Sequence, residues 1–160
     1  MIVLNQKLLV IVLAILGTLC AAQKKTKCQV VKALRDQGVP DSELKDWLCL
    51  VDKESSYKYN AEHTNYKDGS VDSIDYGIFQ LNDKYWCSDS GGYSGKICWR
   101  LNTYGCDDKC KTFKDSDISN DAYCAVRVKK CKGFEEWVGW RNKCKGKDLS
   151  SYDFSECKKV

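Results

Sequence analysis

Eleven cysteines in 160 residues constrain this chain more than any other property, because their chemistry depends on the compartment the chain enters. Its first residues speak to that. Lys7 is followed by Leu8-Leu9-Val10-Ile11-Val12-Leu13-Ala14-Ile15-Leu16, and small residues Ala21 and Ala22 come after. A basic start, an apolar run and a small-residue exit read as a secretory signal peptide spanning residues 1–22, cut after Ala22. The run falls short of the ~18 apolar residues wanted for a membrane span. Cys20 leaves with the leader. The ten that remain, Cys28, Cys49, Cys87, Cys98, Cys106, Cys110, Cys124, Cys131, Cys144 and Cys157, are an even set in a secreted, extracellular chain and imply five disulfides. Ten cysteines pair in on the order of a thousand ways, so their number alone does not fix the connectivity. Cys106-x-x-x-Cys110 also has a zinc-like spacing, but an exported chain with His63 as its single histidine argues against zinc.

The 138 residues after the leader suit one domain, 23–160. Lys7 is the only charge lost, leaving 25 basic against 22 acidic residues and a net charge of +3. This mild excess favours approach to an anionic surface such as a bacterial wall. It is too weak and dispersed for nucleic acid, and no later segment is apolar enough for stable membrane insertion.

Helical patterning runs from Cys28 to Gln37 and stops at Gly38, a residue favoured just past helix C-termini. Asp41 or Ser42 is placed to cap a second helix, in which Leu44, Trp47, Leu48 and Val51 form one apolar stripe. From Ser55 to Asp83, Tyr57, Tyr59 and Tyr66 alternate with polar residues and Asp68-Gly69 is a turn signal, which predicts a small antiparallel sheet. The stretch from Trp86 to Cys110, rich in cysteine and glycine, reads as irregular and crosslinked. Helical patterns return at Asp121, with Ala122, Ala125, Val126 and Val128, and across Phe134, Trp137, Val138 and Trp140. Helices on both sides of a small sheet predict an α+β fold.

Two acids stand out. Glu54 lies three residues past Val51 and continues the apolar stripe. Asp75 opens Asp75-Tyr76-Gly77-Ile78-Phe79-Gln80-Leu81-Asn82, read as a strand-like run able to line a polar cleft; Asp72 is the rival acid in the same segment. One carboxyl pushed toward apolar surroundings and another kept among polar groups is what acid–base glycoside chemistry requires.

Four motifs carry a family resemblance: Trp47-Leu48-Cys49-Leu50 with Glu54-Ser55, the run from Asp75 to Asn82, Tyr85-Trp86-Cys87, and Trp137-Val138-Gly139-Trp140-Arg141-Asn142-Lys143-Cys144-Lys145-Gly146. In this order, with matching cysteines, they resemble the c-type (animal) lysozymes, of the superfamily that includes α-lactalbumin. The resemblance implies a helical lobe and a small antiparallel β-sheet lobe with a cleft between. It implies a monomeric hydrolase cleaving β-1,4 bonds between N-acetylmuramic acid and N-acetylglucosamine in bacterial peptidoglycan, with no cofactor. Glu54 matches the general acid and Asp75 the nucleophile or stabiliser. Trp137 matches the apolar partner of the acid. Gln80 and Asn82 match residues that orient Asp75 and the sugar, and Tyr85 and Trp86 the rings along the upper cleft. Trp47 and Trp140 are read as core.

The resemblance also pairs Cys28 with Cys157, Cys49 with Cys144, Cys87 with Cys110 and Cys106 with Cys124. Cys98 and Cys131, which most members lack, are left for a fifth bridge. The segment between Glu54 and Asp75 is longer than the family pattern by residues among Tyr59 to Ser73, so the polar brace of Asp75 is open among His63, Asn65 and Tyr66. Asp115 to Asp121 resembles the calcium loop of α-lactalbumin. With Asn120 at one acidic position, a metal-free helix-capping loop is the reading preferred over calcium on Asp115 and Asp121. Non-catalytic relatives commonly lose one or both acids; this chain keeps both.

Overall fold

The computed structural model describes residues 23–89 and 106–158, together with the backbone of residues 97–98 and 103–104. The expected signal peptide lies outside the described residues.

Helix α1 spans Lys27–Asp36. It opens with a capping box in which the Thr26 hydroxyl accepts from the Gln29 N–H and the Gln29 carbonyl oxygen accepts from the Thr26 N–H. The T-x-x-Q signature for this start stands in the sequence. Val30, Val31, Ala33 and Leu34 face the core, and Gly38 turns the chain at φ +75°. Helix α2 spans Leu44–Ser55. Neither Asp41 nor Ser42 caps it: Asp41–Glu43 form a 3-10 turn instead, and Asp41 is drawn into an ion pair with Arg35 at 2.9 Å. The expected stripe is buried, along with Cys49 and Leu50.

The sheet has the order β1-β2-β3, with β1 Glu62–Lys67, β2 Ser70–Tyr76 and β3 Leu81–Asn82, all antiparallel. Asp68 and Gly69 both take positive φ, the backbone a two-residue hairpin turn requires. The register of this β1–β2 hairpin shifts between Asn65 and Tyr66. The strand expected from Asp75 to Asn82 is not continuous. It ends at Tyr76, turns through Gly77 (φ +75°) and Gln80 (φ +51°), and resumes as β3. That reversal pairs Asp75 with Asn82.

The segment read as wholly irregular holds a short ribbon, β4 Ile97–Cys98 with β5 Thr103–Tyr104. Helix α3 spans Ser119–Lys132. The helical pattern from Phe134 to Trp140 is broken: Phe134–Glu136 is 3-10, Trp137 is extended, and α4 runs Val138–Lys143. A change of direction at Trp137 separates the aromatic positions that a single helix would have aligned.

The bridges Cys28–Cys157, Cys49–Cys144, Cys87–Cys110 and Cys106–Cys124 are present. Cys106 and Cys110 are thus crosslinked elsewhere, which removes the zinc alternative. Cys131 is also disulfide-bonded, while the side chain of its expected partner Cys98 lies outside the described residues. One hydrophobic cluster runs through both lobes, joining Val30, Leu34 and Trp47 to Phe79, Leu81 and Phe113. The cleft walls therefore share a core. Among the described residues, no helix is long and apolar enough to cross a membrane.

Candidate active site

Glu54 is the penultimate residue of α2, where the helix dipole disfavours negative charge. The Gly139 N–H donates to its Oε1 at 2.7 Å. Position 139 accommodates this approach because it lacks a side chain; a Cβ there would stand 2.6 Å from Oε1. Trp137, 5 % exposed, packs edge-on against Trp47 at 5.7 Å and donates its indole N–H to the Phe79 carbonyl at 2.7 Å. Trp47 is fully buried, and Trp140 stacks on Phe134 and donates to Asp46, so both serve packing as expected. Burial is the main cause that pushes the Glu54 carboxyl above the usual range. The Asp75 charge adds to this, and the amides of Gly139 and Trp140 and the Arg141 charge oppose it without cancelling it.

Asp75 is held differently. The Asn65 amide donates to its Oδ2 and the Asn82 amide to its Oδ1, each at 2.7 Å. Both amides also donate to the Ser73 hydroxyl oxygen, at 3.3 and 2.9 Å. The brace left open is therefore Asn65. His63 pairs with Asp75 across the β1–β2 ladder, and Tyr66 is 71 % exposed near the hairpin end. Asp72 is committed to Lys84 at 2.7 Å. We expect Asn65→Ala to cut kcat about tenfold while changing Tm by only a few degrees, since it removes one orienting bond at a partly exposed site. Steady-state kinetics beside thermal melting would check this.

Two adjoining cavities share Glu54, His63, Asp75 and Gln80. One, of about 530 Å³, is walled by Asn82, Tyr85, Trp86, Trp137 and Val138. The other, of about 640 Å³, extends past Lys58, Asn60 and Gln23. Asn82 lines the first of these cavities and donates its amide to Asp75. Gln80 lines both cavities, but its side-chain amide donates to the Gly77 carbonyl at 2.9 Å, so it braces the turn. Trp86 is 5 % exposed and Tyr85 half-buried, which makes Tyr85 the more accessible ring of the pair. Sequence reading missed the parts played by Ser73 and Gly139. Nothing in the pattern marks Ser73, and Gly139 is one small residue inside a longer motif.

The acidic loop departs from a calcium cage. Asn120 donates its amide to the Thr112 hydroxyl at 3.1 Å, and the Asp115 carboxyl accepts the Asp117 N–H at 2.8 Å. Asp117 in turn accepts from Ser119 at the start of α3. Among the described residues, the convergent metal-type ligands are Cys28, Glu156 and Cys157, and those cysteines are bonded to each other. Calcium needs several hard oxygens turned inward together, so these residues do not fit it.

Asp121 is wholly buried, and its carboxyl is approached by the backbone amides of Asp121 itself and Ile78, with no side-chain partner. Burial, assisted by the charges of Asp115 and Asp108, pushes its pKa up to about 8. Its folded pKa thus exceeds the unfolded value of 3.8, so its contribution to stability is full below that value and is lost as pH rises toward 8. Asp121→Asn, which mimics the neutral form, should raise Tm at pH 8 by roughly 5 °C or more and change it little at pH 4. Calcium should leave the parent's Tm unaltered. Calorimetry across pH, with and without calcium, reads both.

A helical lobe and a three-stranded sheet lobe sharing a core, with an apolar-held glutamate facing an amide-held aspartate, define a lysozyme-like fold. The chain belongs to the C-type lysozyme/alpha-lactalbumin family, whose model matches residues 23–157. It is 42 % identical over 141 residues to lysozyme c-1 of Anopheles gambiae, covering 87 % of this chain and 91 % of that protein. It is 38 % identical to a lysozyme of Bombyx mori, covering 95 % of this chain and 99 % of the relative. Similarity extends to the intestinal lysozyme C of Bos taurus, at 37 % identity over 90 % of this chain and 93 % of that protein.

Proposed function

We propose that this family member is a lysozyme: a secreted glycoside hydrolase that cuts the β-1,4 bond between N-acetylmuramic acid and N-acetylglucosamine in bacterial peptidoglycan. Glu54 is the acid and base, and Asp75 the nucleophile or charge stabiliser. The observation that carries this reading is the contrast between the two carboxyls in one cleft. Glu54 is half-buried, with its pKa raised, and is met by the backbone amides of Gly139 and Trp140. Asp75 receives two side-chain amides. A protonated carboxylic acid beside an oriented carboxylate is the pairing that protonates a leaving oxygen while stabilising the developing cation on the sugar.

In this reading Glu54 gives its proton to the glycosidic oxygen as that bond breaks, and Asp75 meets the anomeric carbon from the opposite face. Water then attacks the anomeric carbon and returns its proton to Glu54, so configuration is retained. The mild positive charge of the chain brings it toward anionic cell walls. Secretion follows from cleavage of the 1–22 leader after Ala22. A binding-only role has no observation in its favour, since both acids are present and supported by hydrogen bonds.

The purified protein should clear a suspension of Gram-positive cell walls and release new reducing ends of unchanged anomeric configuration, read by NMR of short oligosaccharide products. No clearing, or inverted product, would overturn the proposal.

A further inference from the structure

We propose that Gln23, once it is the first residue of the mature protein, is a modification site in the cleft wall, where its amino terminus closes as pyroglutamate. This rests on the cleavage after Ala22 proposed above. Gln23 lines the larger half of the cleft together with Lys58, His63, Glu54 and Asp75. Backbone bonds fix it there. Its carbonyl accepts the Tyr59 N–H at 3.2 Å, the Lys25 N–H donates to the Tyr57 carbonyl at 2.9 Å, and Lys24 bridges to Lys58 in antiparallel fashion. The family match also begins at residue 23. The point at which the leader departs is therefore part of the wall of the cleft.

A terminal glutamine in this position has a defined chemistry. Its α-amino group, with an ordinary pKa of about 7.7–8.0, is partly unprotonated at neutral pH. The neutral nitrogen attacks the carbonyl carbon of the residue's own side-chain amide and forms a five-membered lactam. The bond from that carbon to the side-chain nitrogen breaks, and the nitrogen leaves as ammonia. No oxidant, reductant or co-reactant is needed. Gln23 is exposed, so its side chain has room to fold back on the terminus.

The consequence falls on the charge of the cleft. In this wall Lys53 is paired with Asp52 at 2.8 Å and Glu62 with Lys114 at 2.5 Å. Lys58 and an open amino terminus would then supply positive charge toward an anionic substrate. The lactam deletes one of these two cations without any change in the encoded sequence.

The full chain, leader included, would be secreted from eukaryotic cells and its intact mass measured. The expected product is residues 23–160, lighter by about 17 Da than the uncyclised chain, and blocked to sequential degradation from the N-terminus. Gln23→Ser, which keeps an open amine, should show no such loss. It should bind cell walls with a KM about twofold lower than the cyclised parent at low ionic strength, converging at high salt. A terminus elsewhere, a free amine that persists at Gln23, or KM values that coincide at every salt concentration would overturn the proposal. The mass measurement does not depend on catalysis. An inactive but cyclised protein would sink the hydrolase reading alone.

Discussion

Replacing Glu54 with glutamine should leave a folded protein that clears cell walls about a hundred- to ten-thousandfold more slowly, because a positioned general acid contributes on the order of 10²–10⁴ in rate. The amide is nearly the size of the carboxyl, and its oxygen still accepts the Gly139 N–H that now reaches Oε1 at 2.7 Å. What disappears is the proton. The pH profile supplies a second reading of the same change. The acid must be protonated to act, and burial holds its pKa above the ordinary value. In the parent, kcat/KM should therefore fall as pH rises through that raised pKa, and the residual activity of the variant should lack this fall. Melting should be unchanged or improved, since a neutral amide costs less to desolvate in that seat than an ionised carboxylate. Equal clearing by parent and variant would remove Glu54 from the chemistry.

The second large effect is on stability. Gly77→Ala should lower it by about 3–5 kcal/mol, combining left-handed strain with overpacking. Gly77 has φ +75°, and a Cβ there would stand 2.1 Å from the Phe113 carbonyl oxygen and 2.6 Å from Asp121 Oδ1. The first neighbour is backbone and the second belongs to a fully buried side chain, so neither yields cheaply. For a domain of this size the loss corresponds to a drop in Tm of roughly 10–20 °C, measurable by calorimetry. Activity should suffer in the molecules that do fold, because Gly77 begins the turn that returns Asn82 to Asp75. A Gly77→Ala variant that melts with the parent would show that this turn relaxes freely.

Some of this was legible in the chain and some was not, for physical reasons. The apolar stripe through Leu44, Trp47, Leu48 and Val51 announced α2 because a buried helix repeats every 3.6 residues, and Glu54 followed from it. The Asp68-Gly69 turn was legible because few residues tolerate positive φ at two successive positions. The run from Asp75 to Asn82 misled because its composition suits a strand, while its one glycine marks a reversal set by tertiary contact with Phe113 and Asp121. Phe134 to Trp140 misled likewise, since aromatic spacing does not reveal that Trp137 must leave the helix to reach the Phe79 carbonyl. Asp41 offered a cap and was claimed by Arg35 instead. The brace on Asp75 stayed open because alternation within a hairpin does not reveal its register, and one residue of slip exchanges the two faces. Asn65 emerged only once it was seen opposite Ser73.

The two acids are also supported by groups with different genetic exposure. The donors to Glu54 are main-chain N–H groups, those of residues 139 and 140, which only proline would delete. The donors to Asp75 are the side chains of Asn65 and Asn82, each erasable by a single substitution. A descendant of this chain released from selection for hydrolysis would lose the sheet-side support first, with the seat of the glutamate outlasting it. A homologue that retained the glutamate and the small residue at 139 but neither asparagine would be a former enzyme, still shaped to grip a sugar it no longer cuts well.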